Sequence, residues 1–105
     1  MVGIDIVDVT RIADIVEKYG DRFLCKIFTE EEIAYARKRR FLGESLAGRF
    51  AAKEAFMKAI GRNLKWKDIN VLQSGGRPYI EFQGTRFNGV SISHEKTYAV
   101  SVVVI

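Results

Sequence analysis

The first stretch of the chain, "VGIDIV", is apolar and β-branched apart from Asp5, and it reads as a buried strand. Beyond it the apolar period lengthens. Ile12, Ile15, Val16 and Tyr19 fall at helical spacing behind Asp8 or Thr10, either of which caps a helix that closes near Gly20. A second helix opens at "TEEE", where Thr29 and Glu32 make a capping-box pattern, and ends in the basic run Arg37 to Arg40. A third runs through "ESLAGRFAAKEAFMKAI" to Gly61 as its C-cap. From Ile69 the period changes to that of strands: "INVLQ", "PYIEF", "VSIS" and "YAVSVVVI", with "SGGRP" and "HEKT" as turns. The run from Val100 to Ile105 is apolar enough to predict a central strand covered on both faces. Helices early and strands late predict an α+β class. The expectation is one domain over residues 1–105, with the N-terminal strand and helices packed on a mainly antiparallel sheet.

Two places break the pattern. An ionised Asp5 in a buried strand needs a partner, which is an arginine, a cluster of backbone amides or a metal ion. The third helix has no clean polar face, because Arg49, Lys53, Glu54 and Lys58 interleave with Leu46, Phe50, Phe56 and Met57. Such charges are expected to face a polar site rather than open water. Glu54 and Lys58 read either as an ordinary i,i+4 surface pair or as part of a site in which Glu54 and Asp5 converge on one hard divalent cation. His94, the only histidine, reads either as a structural or exposed residue or as a site residue at a strand end. "SGGRP" is a connecting turn in the plainer reading; in the other, its amides and Arg77 approach a nucleotide.

With 105 residues, 48% of them hydrophobic, the chain can build one core. A net charge of +4 favours an anionic partner. The single Cys25 excludes an intrachain disulfide framework and no Cys/His cluster has zinc spacing, so a cytoplasmic location is expected. No stretch reaches membrane-spanning length, and no secretory signal pattern is present. A small nucleic-acid-binding domain is the rival reading, with Arg37 to Arg40 and the Arg11, Lys18, Arg22 stripe on phosphates. It leaves Asp5 and Glu54 without a use.

The blocks "VGIDIVDVTRI", "FLGESLAGRFAAKEAFMKAIG", "WKDINV", "GGRPYI" and "VSISHEKTYAVSVVV" resemble, in order and over nearly the whole chain, those of bacterial holo-[acyl-carrier-protein] synthases. The resemblance implies a magnesium-dependent 4'-phosphopantetheinyl transferase of fatty acid biosynthesis. Such enzymes move 4'-phosphopantetheine from coenzyme A to a serine of acyl carrier protein and release adenosine 3',5'-bisphosphate. By the same resemblance, Asp5 and Glu54 hold Mg2+ and Lys58 faces the pyrophosphate. Arg49, Ser93, His94 and the turn Gly76, Arg77, Pro78 are implied along the nucleotide end of coenzyme A, and Arg11, Lys18 and Arg22 against an acidic helix of the carrier. A homotrimer with active sites at subunit boundaries is implied as well. The chain departs from the family where "KAIG" is followed by a shortened loop, and where Gly75 stands in place of a frequent asparagine.

Overall fold

The computed structural model describes all 105 residues, Met1 to Ile105. In chain order the elements are β1 (Val2–Asp8), α1 (Val9–Tyr19), α2 (Asp21–Ile27), α3 (Glu30–Arg37) and α4 (Leu42–Ile60), then a 3-10 turn (Trp66–Asp68). Five strands follow: β2 (Ile69–Ser74), β3 (Arg77–Phe82), β4 (Thr85–Phe87), β5 (Val90–His94) and β6 (Tyr98–Val104). They form two three-stranded antiparallel sheets, ordered β1-β6-β5 and β2-β3-β4. The class is α+β, and the N-terminal strand does join the late one, with Asp5 opposite Ser101.

The helix ends follow local chemistry. The Asp8 carboxylate accepts from the Arg11 amide, and Gly20 stops α1 with a backbone (φ 55°, ψ −132°) that side chains resist. Thr29 and Glu32 complete their capping box reciprocally. Gly61 ends α4 in the left-handed conformation at φ 87°.

The organising element is α4. Twelve of its nineteen residues are buried, five of them alanines, and it packs chiefly on β1 and β6. Those small side chains let a strand come close: a Cβ on Gly3 would lie 1.8 Å from the Ala55 carbonyl oxygen. On one side Leu46, Ala47 and Ala51 meet Ile12, Leu24 and Phe28 from the first helices. On the other, Phe56 sits edge-on to Phe82 at 5.4 Å and Phe87 at 5.1 Å, sealing α4 against the second sheet. Emptying that position with Phe56→Ala would cost about 3 to 5 kcal/mol.

Several expectations need correction. A helix over Asp21–Ile27 and the short strand Thr85–Phe87 have no counterpart in the pattern reading, and Arg22 belongs to that helix. Helix α3 does end in the basic run, at Arg37 with Lys38 as its C-cap, so that Arg39 and Arg40 lie beyond the helix. Within this chain β6 is central yet covered on one face only, and β1 is not buried throughout. Val2, Ile4, Ile6 and Val104 are all more than half exposed. Gly3, Asp5 and Val7 alternate with them and turn inward, toward α4.

Candidate functional site

The close approach at Gly3 brings Asp5 against the C-terminal half of α4. Lys58 Nζ donates to the Ile4 carbonyl at 2.9 Å and to Asp5 Oδ1 at 3.3 Å. The Asp5 side chain is only 16% exposed, whereas that of Lys58 is 54% exposed and shares its charge with water. The Glu54 carboxyl is pushed above its ordinary value, first by burial, then by the negative charge of Asp5, with Lys58 pulling the other way. So Asp5, Glu54 and Lys58 form one cluster, and its two carboxylates repel. They open on a cavity of about 380 Å³ that Arg11, Ile15, Phe23 and Phe50 also line.

This donor set fits a hard divalent cation. Two like charges held together with one half-exposed lysine between them lack compensation, and a cation supplies it. No third His, Cys, Asp or Glu joins them, so water and substrate phosphates would complete the shell, as magnesium favours.

A second cavity, about 230 Å³, opens beside the N-terminal half of α4 and shares no residue with the first. Arg49 is 4% exposed, and its guanidinium lies 3.9 Å from the centre of the Tyr35 ring. Burial lowers its pKa, and Tyr35 and Glu32 partly offset this. Around it stand Arg39, Arg40, Ser45 and the Glu44–His94 pair, joined from Oε1 to Nδ1 at 3.2 Å. Three arginines against one carboxylate leave the cavity positive. Two buried polar atoms have no partner here, Ser45 Oγ and Arg49 Nε.

Gly76, Pro78 and His94 line this cavity with Arg49, whereas Arg77, exposed between the first two, does not. Ser93 pairs with Val100 and alternates with His94, so it faces the other side of the sheet and is not brought to the cavity. Arg22 lines a separate groove with Ile15, Tyr19, Phe23 and Lys26. Lys18 is exposed and lies against Tyr19, its Nζ 5.3 Å from the ring centre. Arg39 and Arg40, read as solvated helix end, prove to be cavity residues, while Arg37 pairs with Asp21 at 3.2 Å. That split breaks up the continuous basic stripe that nucleic-acid binding would use. Glu44 and Ser45 escaped the reading, although Ser45, Gly48 and Arg49 show an i, i+3, i+4 stripe that marks one helix face. Lys53 does not face a polar site at all. It is fully buried, 2.7 Å from Glu32, and bonds the carbonyls of Ile27 and Trp66.

The model of the 4'-phosphopantetheinyl transferase superfamily matches residues 1–103. The chain belongs to that family. Among its relatives, a holo-[acyl-carrier-protein] synthase of Thermodesulfovibrio yellowstonii is 48% identical over 110 residues, covering 99% of this chain and 96% of the relative. Another, from Halothermothrix orenii, is 44% identical over 117 residues, covering 98% and 94%. Solved structures agree. The Helicobacter pylori holo-[acyl-carrier-protein] synthase in complex with coenzyme A superposes with a TM-score of 0.88 at 31% identity, over 99% of this chain and 98% of that one. The Bacillus anthracis synthase in complex with CoA (3',5'-ADP) gives 0.84 at 37% identity, over 97% and 91%. No helix here is long and apolar enough to cross a membrane.

Proposed function

We propose that this chain is a holo-[acyl-carrier-protein] synthase: residues 1–105 act as one domain that transfers 4'-phosphopantetheine from coenzyme A to a serine of acyl carrier protein, in the cytoplasm. The observation that carries this reading is the Asp5, Glu54, Lys58 cluster, in which two repelling carboxylates line an open cavity and a lysine pairs with Asp5 beside it. Relatives with the same fold that bind coenzyme A and bear this activity in their names support it.

Phosphoryl transfer of this kind needs alignment and charge neutralisation more than covalent help. The serine oxygen attacks the phosphorus joined to pantetheine, and the bond from that phosphorus to the adenosine bisphosphate oxygen breaks. Asp5 and Glu54 are the residues that would hold Mg2+, which when bound neutralises pyrophosphate charge. Lys58 stabilises or protonates the departing phosphate. The serine proton goes to Glu54 or to an ordered water.

In one chain the two cavities cannot serve one coenzyme A. Glu54 and Lys58 lie about 140° and 180° around α4 from Arg49, at 100° per residue. A coenzyme A that touches both sets therefore bridges two copies. A contact between unlike faces gives a ring where its rotation closes, and a homotrimer is the ring we propose. The uncovered apolar sheet face of Val2, Ile4, Ile6 and Val104 offers the surface such an assembly would bury. Arg11, Lys18 and Arg22 remain exposed and are proposed as the basic side that meets an acidic carrier helix.

The test is to incubate the protein with coenzyme A, magnesium and apo acyl carrier protein and weigh the carrier. A gain of one phosphopantetheine group, lost in chelator, is expected. An unchanged carrier mass under conditions that convert a control carrier sinks the proposal, and a monomeric mass in solution sinks the shared site.

A further inference from the structure

Trp66, the only tryptophan, stacks on Phe50 with ring centres 5.0 Å apart and planes 23° from parallel. Its backbone is pinned as well, because the Trp66 carbonyl accepts from the buried Lys53 ammonium at 3.0 Å. Phe50 is not a core residue like the buried Ala51 and Ala52 that follow it. It is only partly buried, and it lines the cavity of Asp5 and Glu54, one turn before Glu54 on the same stripe of α4. One face of the ring is covered by an anchored indole, and the rest is a wall of the cavity.

Ile12, Ile15 and Phe23 line this cavity too, so carboxylates and apolar side chains share its lining. A ligand that fits such a lining joins a charged group directly to an apolar one. Phosphopantetheine does so. Its phosphate ester is followed, after a single methylene, by a carbon that bears two methyl groups, and the polar amides and the thiol come only further on. With the phosphorus held beside Asp5 and Glu54, that dimethyl carbon lies next to them and needs apolar surface there. Phe50 is the aromatic side chain one turn away. A half-exposed phenyl ring offers a fixed surface only if something holds it, and the stacked indole does that. The inference rests on the reading of the chain as a coenzyme A-dependent transferase.

We infer that Trp66 is a positioning residue: stacked behind Phe50, it fixes that ring as the apolar wall that receives the dimethyl carbon of the phosphopantetheine arm beside Asp5 and Glu54. Trp66 also packs against the core, so the substitution that tests it keeps apolar bulk and removes only the ring. Leucine does this.

The experiment is titration calorimetry, in magnesium, of coenzyme A and of adenosine 3',5'-bisphosphate, which lacks the arm, against wild type, Trp66→Phe and Trp66→Leu. Trp66→Leu should weaken coenzyme A about threefold to tenfold, the scale of one aromatic pair, and leave the bisphosphate unchanged. Trp66→Phe keeps a ring to stack and should restore wild-type affinity. Wild type supplies a reading that needs no variant: coenzyme A should shift the Trp66 emission, and the bisphosphate should not. Equal weakening of both ligands in Trp66→Leu makes Trp66 a residue of the fold alone and overturns the inference, as do unchanged affinities or a rise confined to KM for the carrier. Emission that coenzyme A leaves unmoved overturns it too, and decides the matter if Trp66→Leu does not fold. Wild type that binds neither ligand sinks the transferase reading first, and the inference with it.

Discussion

Lys53 and Lys58 sit five residues apart on one helix, and the difference between them separates fold from chemistry. Lys53 is closed off. Its ammonium has three acceptors, Glu32 at 2.7 Å, Ile27 O at 2.8 Å and Trp66 O at 3.0 Å, so every proton is engaged. Glu32 is equally saturated, because Oε1 also accepts from the Thr29 amide and Oε2 from the Val71 amide. The pair stitches α2, α3, α4 and β2 together and leaves nothing over for a ligand. Lys58 is open. It shares half its surface with water, holds Asp5 loosely at 3.3 Å and stands beside a carboxylate that burial, and then Asp5, push toward protonation. A charge with all its bonds made is structure, and a charge with bonds to spare is a site.

The harshest way to break this comparison is to cut the closed pair. Glu32→Ala or Lys53→Ala strands a buried charge and should cost about 3 to 5 kcal/mol in urea unfolding. The folded fraction at low temperature should keep its turnover per active site. A stable Lys53→Ala protein with no transfer activity would mean that the closed lysine is catalytic after all.

At the open end, Asp5→Asn should do the reverse. It preserves shape but removes one of two repelling charges, so the melt in chelator should hold or rise while transfer falls by about a hundredfold or more, the scale of a lost charge-stabilising group. Transfer near wild-type level would remove Asp5 from the reaction.

A finer cut is Lys58→Ala. A residue that meets charge on the departing phosphate acts in the transition state, so kcat should drop about tenfold or more with KM for coenzyme A little changed. If KM alone rises, Lys58 is an anchor for bound substrate.

Much of this division was legible in the chain and part was not. Caps, strand starts and the anomaly of four charges interleaved with apolar residues along one buried helix are local patterns, and Asp8, Thr29 and Gly61 behave as their residue types require. The partner of each charge is not local. Lys53 finds Glu32 twenty-one positions back, and Lys58 finds Asp5 at the other end of the chain, so no spacing rule tells the structural lysine from the reactive one. The short helix Asp21–Ile27 escapes for a related reason. It has seven residues, too few for a clear period, and is held by Leu24 and Ile27 in the core rather than by propensity. The outer face of β6 reads as covered because an apolar pattern records what the strand would bury, not what lies against it.

The smallest effect sharpens the comparison most, because it reads the open cluster without any substrate. Glu54 has its pKa raised by burial first and Asp5 second, with Lys58 opposing. The folded state therefore binds this proton more tightly than the unfolded one. Between the ordinary carboxylate value and the raised one, folding retains protons, so stability in chelator should fall as pH rises through that window and level off above it. Glu54→Gln should remove this slope and melt slightly higher than wild type at neutral pH without metal. Asp5→Asn should shrink the window but not abolish it, since burial is the larger cause, and Lys58→Ala should widen it. Magnesium should invert the slope, because a cation stabilises only the ionised carboxylate. The measurement is a set of thermal melts from pH 4 to 8, with magnesium and with chelator. Parallel curves for wild type and Glu54→Gln in chelator would show that Glu54 is a solvated surface carboxylate, and the line between closed and open charges on α4 would then fall elsewhere.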